Sequence, residues 1–324
     1  MKRSLLLSLI SLSLVWGVGC KGEPKKEEKT EAQAETVETA PVPASTSSPY
    51  AGTYVDGSYA QRAEGYDWVG VRVKDAGDGQ LWISVRSRAD KKRPTCTFDG
   101  RVYKVSDNTY ETVLEGKTAV FEFSGDSLTI RPKTEADAQA LYFRCSGGAT
   151  LAGTYTKIQG DLDPEQVDPT TFMKYLTLQD IGFNVSAEEK GGKQEVTIRS
   201  MGLEMSDADP IVMSIPGEIL DAQIEDLNSD GSPEVVVFSR DGNRGNVHGV
   251  SVNSGKSMSM FYFPPLENNP ELMEGFNGND EFALVETNLV QRFPIEGGKT
   301  RQIVYELVNG ENSRVFRVKD IQEY

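Results

Sequence analysis

Between residues 69 and 85 the side chains alternate between apolar and polar. Val69, Val71 and Val73 lead into Gly77-Asp78-Gly79, and Leu81, Ile83 and Val85 then alternate with Trp82, Ser84 and Arg86. A period of two puts each set on one face of an extended strand, so the pattern predicts two half-buried strands joined by a hairpin. Phe121 and Phe123 pair in the same way with Leu128 and Ile130 across Ser124-Gly125-Asp126. Gly-Thr-Tyr occurs twice, at Gly52-Thr53-Tyr54 and Gly153-Thr154-Tyr155. These repeats read as the first and last strands of a small closed barrel over residues 49–160, with the tyrosines plugging its ends. An interior that takes a small apolar ligand is an alternative this pattern leaves open.

Charge separates this region from the C-terminal half of the chain. Residues 49–160 carry 15 Lys+Arg and 14 Asp+Glu, whereas residues 161–324 carry 13 and 29, a net of -16. A break near Asp161-Leu162-Asp163-Pro164 predicts a second domain over 161–324. The overall charge of -15 opposes phosphate contacts, so no nucleic-acid partner is expected. Within the barrel region Arg86, Arg88, Lys91, Lys92 and Arg93 form a cationic run. It reads as a solvated hairpin tip or as a holder of phosphate, lipid A or an anionic glycan.

The N-terminus reads as an export signal, residues 1–19. Lys2 and Arg3 precede an apolar stretch from Leu5 to Val18, too short for the roughly 20 residues a membrane span needs. Gly17-Val18-Gly19-Cys20 resembles a bacterial lipobox, with Gly17 where that motif prefers Leu. The resemblance implies acylation of Cys20 and a lipid anchor in the envelope; Lys21 in place of Asp implies the outer membrane, facing periplasm or surface. Ordinary signal cleavage, leaving a free thiol, is the competing reading. If Cys20 carries lipid, Cys96 and Cys145 remain as an even pair free to form a disulfide. Residues 20–48, rich in Lys, Glu, Ala, Thr, Pro and Ser, read as a disordered tether.

The second half centres on residues 221–235, DAQIEDLNSDGSPEV, followed by the apolar run Val235-Val236-Val237-Phe238. Further blocks are Phe263-Pro264-Pro265-Leu266, Asp280-Glu281-Phe282-Ala283, residues 287–294, Gly298-Lys299-Thr300-Arg301-Gln302 and Glu323-Tyr324. In this order and spacing the blocks resemble the bacterial periplasmic inhibitors of invertebrate-type (I-type) lysozyme, over roughly residues 165–324. The resemblance implies an antiparallel β-sandwich, often dimeric, that inserts a loop bearing Ser-Gly-x-Tyr into the lysozyme cleft. The corresponding segment holds Asp241, Asn243, Arg244, Gly245, Asn246, Val247 and His248. Arg244-Gly245-Asn246-Val247 falls on the motif, and only Gly245 matches. An acidic domain would also steer a basic lysozyme into encounter, and Arg244 could pair with the carboxylates of a glycosidase cleft.

Asp226, Asn228, Asp230 and Glu234 also fit a D-x-N-x-D-G-x-x-E pattern, the oxygen spacing of a calcium loop. A capped Asx-type turn accounts for the same residues. No other cofactor is suggested. With a single histidine, no nucleophile elbow and no phosphate-binding loop, no enzymatic activity is expected. The expectation is thus an all-β protein: a small disulfide-tied barrel followed by a β-sandwich, acting on I-type lysozyme. The alternative is an envelope module binding a small ligand, glycan or calcium without inhibiting lysozyme.

Overall fold

A computed structural model describes residues 48–205 and 209–324. The signal segment, Cys20 and nearly all of the tether lie outside these residues. The chain is all-β. Its first part comprises β1 (Gly52–Val55), β2 (Val69–Asp75), β3 (Leu81–Ser87), β4 (Phe98–Lys104), β5 (Thr109–Leu114), β6 (Lys117–Ser124), β7 (Ser127–Pro132) and β8 (Gly153–Ile158). These strands form a closed antiparallel barrel in sequence order, with β1 paired to β8. The expected hairpins are present: Val71 lies opposite Val85, and Phe121 opposite Ile130.

Alternation explains the barrel. Val71, Val73, Leu81, Ile83, Val85, Phe121, Phe123, Leu128 and Ile130 all point into one core, so the interior is filled by side chains. Tyr54 and Tyr155 join that core, and each hydroxyl donates to a carbonyl four residues upstream, Tyr50 O at 2.9 Å and Leu151 O at 2.8 Å. A short helix α1 (Ala138–Phe143) lies between β7 and β8 and contributes Leu141 to the core. The Cys96–Cys145 disulfide is formed. It ties the approach to β4 to the end of α1, not to the last strand itself.

The second part holds three antiparallel sheets of four strands, each a meander of consecutive strands. They are β9 (Thr170–Leu178), β10 (Ile181–Lys190), β11 (Lys193–Met201) and β12 (Ile211–Pro216); β13 (Glu218–Glu225), β14 (Glu234–Asp241), β15 (Arg244–Asn253) and β16 (Ser257–Met260); and β17 (Glu281–Val285), β18 (Asn288–Pro294), β19 (Thr300–Asn309) and β20 (Arg314–Glu323). A one-turn helix α2 (Pro270–Met273) precedes the third sheet. Where the sequence suggests a sandwich, two cores lie against the middle of three sheets. Val235 and Val237 pack with Phe183, Val185, Val196 and Ile198; Val236 and Phe238 pack with Leu289, Phe293, Ile303 and Tyr305. A strand covered on both faces has no polar side, which is why residues 235–238 read as an unbroken apolar run.

Barrel and sheets meet through buried polar contacts. Arg86 Nη2 bonds Asp99 Oδ2 at 2.6 Å, and Arg86 Nε donates to Thr170 O, also at 2.6 Å. The second Asp99 partner is the Met173 N–H, at 2.7 Å. Trp82 on the barrel stacks on Phe172 of β9 with ring centroids 6.2 Å apart.

Candidate functional site

The segment from Glu234 to Asn253 carries the candidate inhibitory residues and begins at the last residue of the calcium pattern, Glu234. It is one hairpin, and its turn is only Gly242 and Asn243, because Asp241 pairs directly with Arg244. Arg244, Gly245, Asn246, Val247 and His248 are therefore strand residues of β15 and not part of a protruding loop. The physical reason is pairing: Gly245 to His248 lie opposite Arg240 to Val237, and Val247 is buried in the core beside Phe238. What projects is the tip, with Asp241, Gly242 and Asn243 exposed.

That tip is held from below. The Asn279 N–H donates to Asn243 O at 2.6 Å, and Asn243 Nδ2 donates to Asn277 O at 3.0 Å. Arg240 Nη2 reaches Asp280 O at 2.8 Å, and the Gly245 N–H donates to Asp280 Oδ1 at 2.7 Å. A buried chain continues inward, since Gln291 Nε2 donates to Asp280 Oδ2 and Tyr305 Oη donates to Gln291 Oε1, each at 2.7 Å. Gly245 has a packing role here. A Cβ at that position would lie 3.0 Å from the Phe282 ring and 3.1 Å from the Asp280 carbonyl.

The other motif residues are committed elsewhere. Arg244 forms an ion pair with Glu267 and lies 5.7 Å from the Phe276 ring centroid. His248 lines a cavity of about 510 Å³ together with Asn246, Met213, Met260 and Tyr262. Its Nε2 is buried with no hydrogen-bond partner among the described residues, and burial holds the imidazole below its ordinary pKa.

The turn at 226–234 is capped by its own side chains. Asp226 accepts from the Asp230 and Gly231 N–H groups, at 3.0 and 2.9 Å, and Asn228 Oδ1 accepts from Asp230 N at 3.0 Å. Asp230 Oδ1 accepts from Ser232 N, also at 3.0 Å. Buried Glu234 accepts from Leu227 N at 2.8 Å and from the Ser251 hydroxyl at 2.9 Å. The cation beside this turn is Arg314 of β20, which pairs with Asp230 and with Glu234, the latter at 3.2 Å. Burial pushes the Glu234 carboxyl up to about 7, against the pull of Ser251, Leu227 and Arg314. No group of three or more His, Cys, Asp or Glu side chains able to hold a metal gathers among the described residues. The carboxylate oxygens that would bind calcium accept backbone N–H groups and a guanidinium.

The cationic run 86–93 divides. Arg86 and Arg88 are buried, contrary to both readings of the run as a surface feature. Arg88 donates to Arg62 O at 2.8 Å and Tyr66 O at 3.0 Å and pairs with Asp90, so it closes loops of the barrel. Lys91, Lys92 and Arg93 are exposed, and Lys92 pairs with Asp67.

The blocks that carry the family resemblance have structural work in this fold. Leu266 and Phe293 sit in the core of the third sheet, and Asp280 anchors the hairpin. Arg301 donates to Glu274 O at 2.7 Å and pairs with Glu323, also at 2.7 Å. No family model matches the chain, and no curated protein matches it. Among solved structures, an endo-1,4-β-xylanase from Bacteroides thetaiotaomicron is similar over 84% of this chain and 94% of that chain, with 8% identity and a TM-score of 0.27. A likeness of that size carries no argument about fold or activity.

Proposed function

We propose that this protein acts by binding and not by catalysis, as an envelope-tethered inhibitor of an I-type lysozyme that presents the hairpin tip at residues 241–243. The observation that carries this reading is that the tip is exposed yet fixed from below by Asn277, Asn279 and Asp280. A narrow, pre-ordered turn enters a cleft with little loss of conformational freedom on binding. The net of -16 over residues 161–324 favours encounter with a basic enzyme, at a rate that falls with salt. Lipid at Cys20, the tether and a homodimer belong to the same proposal.

The test is turbidity loss of a peptidoglycan suspension by I-type lysozyme with and without the protein, with chicken-type and goose-type enzymes in parallel. Selective protection by nanomolar protein, lost when residues 241–243 are replaced by Gly-Gly-Gly, is the expected result. A second reading is a non-inhibitory envelope module for a small ligand, glycan or calcium. It is favoured by Arg244 and Val247, which stand at the motif's serine and tyrosine positions and are occupied by an ion pair and by core packing. Absence of protection against all three enzymes would put that reading first.

A further inference from the structure

The barrel is paired unevenly. β3 and β4 are in register from Leu81–Val102 to Val85–Phe98, but β4 meets β5 only at Tyr103–Glu111 and Lys104–Tyr110. Along residues 98–102 of β4 and 112–114 of β5 the two strands part. A groove of about 820 Å³ runs along the parting, with strands β4 and β5 and the end of α1 on one side and β9 and β10 on the other.

Both walls carry a ring beside a hydrogen-bonding side chain. On the barrel wall Tyr103 lies directly opposite Glu111, and on the sheet wall Tyr175 lies directly opposite Asn184. Large apolar side chains are left open to solvent along this groove: Tyr103 is 53% exposed, Phe143 56% and Val113 67%. Phe143 and Tyr175 also approach each other, with centroids 5.8 Å apart, and Arg144 packs against both rings at 5.7 and 5.6 Å. The Arg144 guanidinium bonds Glu115 at 2.9 Å, while its buried Nε has no partner among the described residues.

From this arrangement we infer that the groove binds a neutral oligosaccharide chain. Sugar rings present apolar C–H faces to aromatic side chains and a belt of hydroxyls that both donate and accept. The paired ring and polar side chain on each wall match that combination. Charge decides against an ionic ligand: the groove is lined by Arg101, Arg144 and Lys174 and by Asp99, Glu111, Glu115 and Asp221. Each of these carboxylates already holds a cation, Arg86, Lys133, Arg144 and Lys174 in turn. Two of these pairs lie wholly within the lining, Arg144 with Glu115 and Lys174 with Asp221 at 2.6 Å. An open groove between two walls also suits a chain better than a compact molecule. The site shares no residue with the hairpin tip, so it stands independently of the lysozyme reading.

The experiment is isothermal titration of the full-length protein with a hexamer of N-acetylglucosamine, with cellohexaose, and with an acidic hexagalacturonate. Binding of a neutral hexamer, with no binding of the acidic one, is expected. Tyr103→Ala and Phe143→Ala, both at exposed positions, are each expected to weaken it by about tenfold. Asn184→Ala probes the opposite wall and is expected to weaken it as well. Lysozyme inhibition by the Tyr103→Ala protein should be unchanged, which separates failure of this site from failure of the tip. No binding of either neutral hexamer overturns the inference, as does binding that all three variants leave intact. Tighter binding of the acidic hexamer, or of an extended apolar peptide in place of sugars, overturns it too.

Discussion

The barrel and the middle sheet bury their strands by different means. In the barrel, β1 pairs with β8 and the sheet closes on itself except where β4 and β5 part, so it needs only one apolar face. In the middle sheet, β13 and β16 remain edges, and burial comes from neighbours on both faces. The barrel is therefore nearly self-sufficient, whereas the middle sheet depends on its flanking sheets. The difference also shows where each part carries polar groups: on the outside of the barrel, and in the middle sheet at Glu234, which is buried with Leu227, Ser251 and Arg314 as partners.

The largest expected effect tests whether the two parts unfold together. Arg86→Ala leaves buried Asp99 without its cation at their junction, and a broken buried pair typically costs about 3–5 kcal/mol. Urea unfolding should show that loss in one transition, seen alike by tryptophan fluorescence, which reports Trp68 and Trp82 of the barrel, and by far-UV circular dichroism, which reports the strands of both parts. Two separated transitions would mean barrel and sheets are energetically independent. Next is the disulfide, which closes a separation of 49 residues. Cys96→Ser with Cys145→Ser is expected to cost roughly 4 kcal/mol in the chain-entropy model. Hydrogen exchange should rise in the barrel and stay unchanged in the middle sheet.

A third effect comes from pH. Glu234 titrates near about 7 in the fold against 4.5 in the unfolded chain, so the folded state holds the extra proton between those values. Its contribution is full below about pH 4.5 and is lost as pH rises through about 7, on the order of 1–3 kcal/mol. His248, with its pKa lowered, acts in the opposite sense, and stability falls as pH drops below its ordinary 6.5. Thermal melts of Glu234→Gln across pH 5–8 should be flatter than those of the parent. A parent profile that rises steadily with pH would refute the Glu234 assignment. Gly245→Ala should cost about 1–3 kcal/mol by overpacking against Phe282. Arg244→Ala removes a partly exposed ion pair and should cost under about 1 kcal/mol in the same thermal melts.

The barrel is legible in the sequence because alternation and turn residues are local signals. Gly-Thr-Tyr at both ends marks the two strands that close it, and the pairs at 121–130 keep the expected register. The buried arginines are not legible, since the carbonyls they reach are distant in sequence: Arg86 reaches residue 170 and Arg88 reaches residues 62 and 66. Residues 244–248 read as loop because glycine and polar side chains dominate them. The signal that corrects this is Val247, Val250 and Val252, which keep two sides of one strand buried against different cores. The acidic turn is legible as an oxygen-rich Asx motif, but Arg314 as its cation is not, being 80 residues from Glu234.

That separation has a consequence for how the protein is made. Synthesis runs from the N-terminus, so β14 and its turn emerge long before β20. Until Arg314 arrives, Glu234 has no cation and one face of β14 has no cover. The middle sheet is thus a keystone set last, though it lies mid-chain. These strands stay open until the final segment is made, the interval in which a protease or chaperone has access to them.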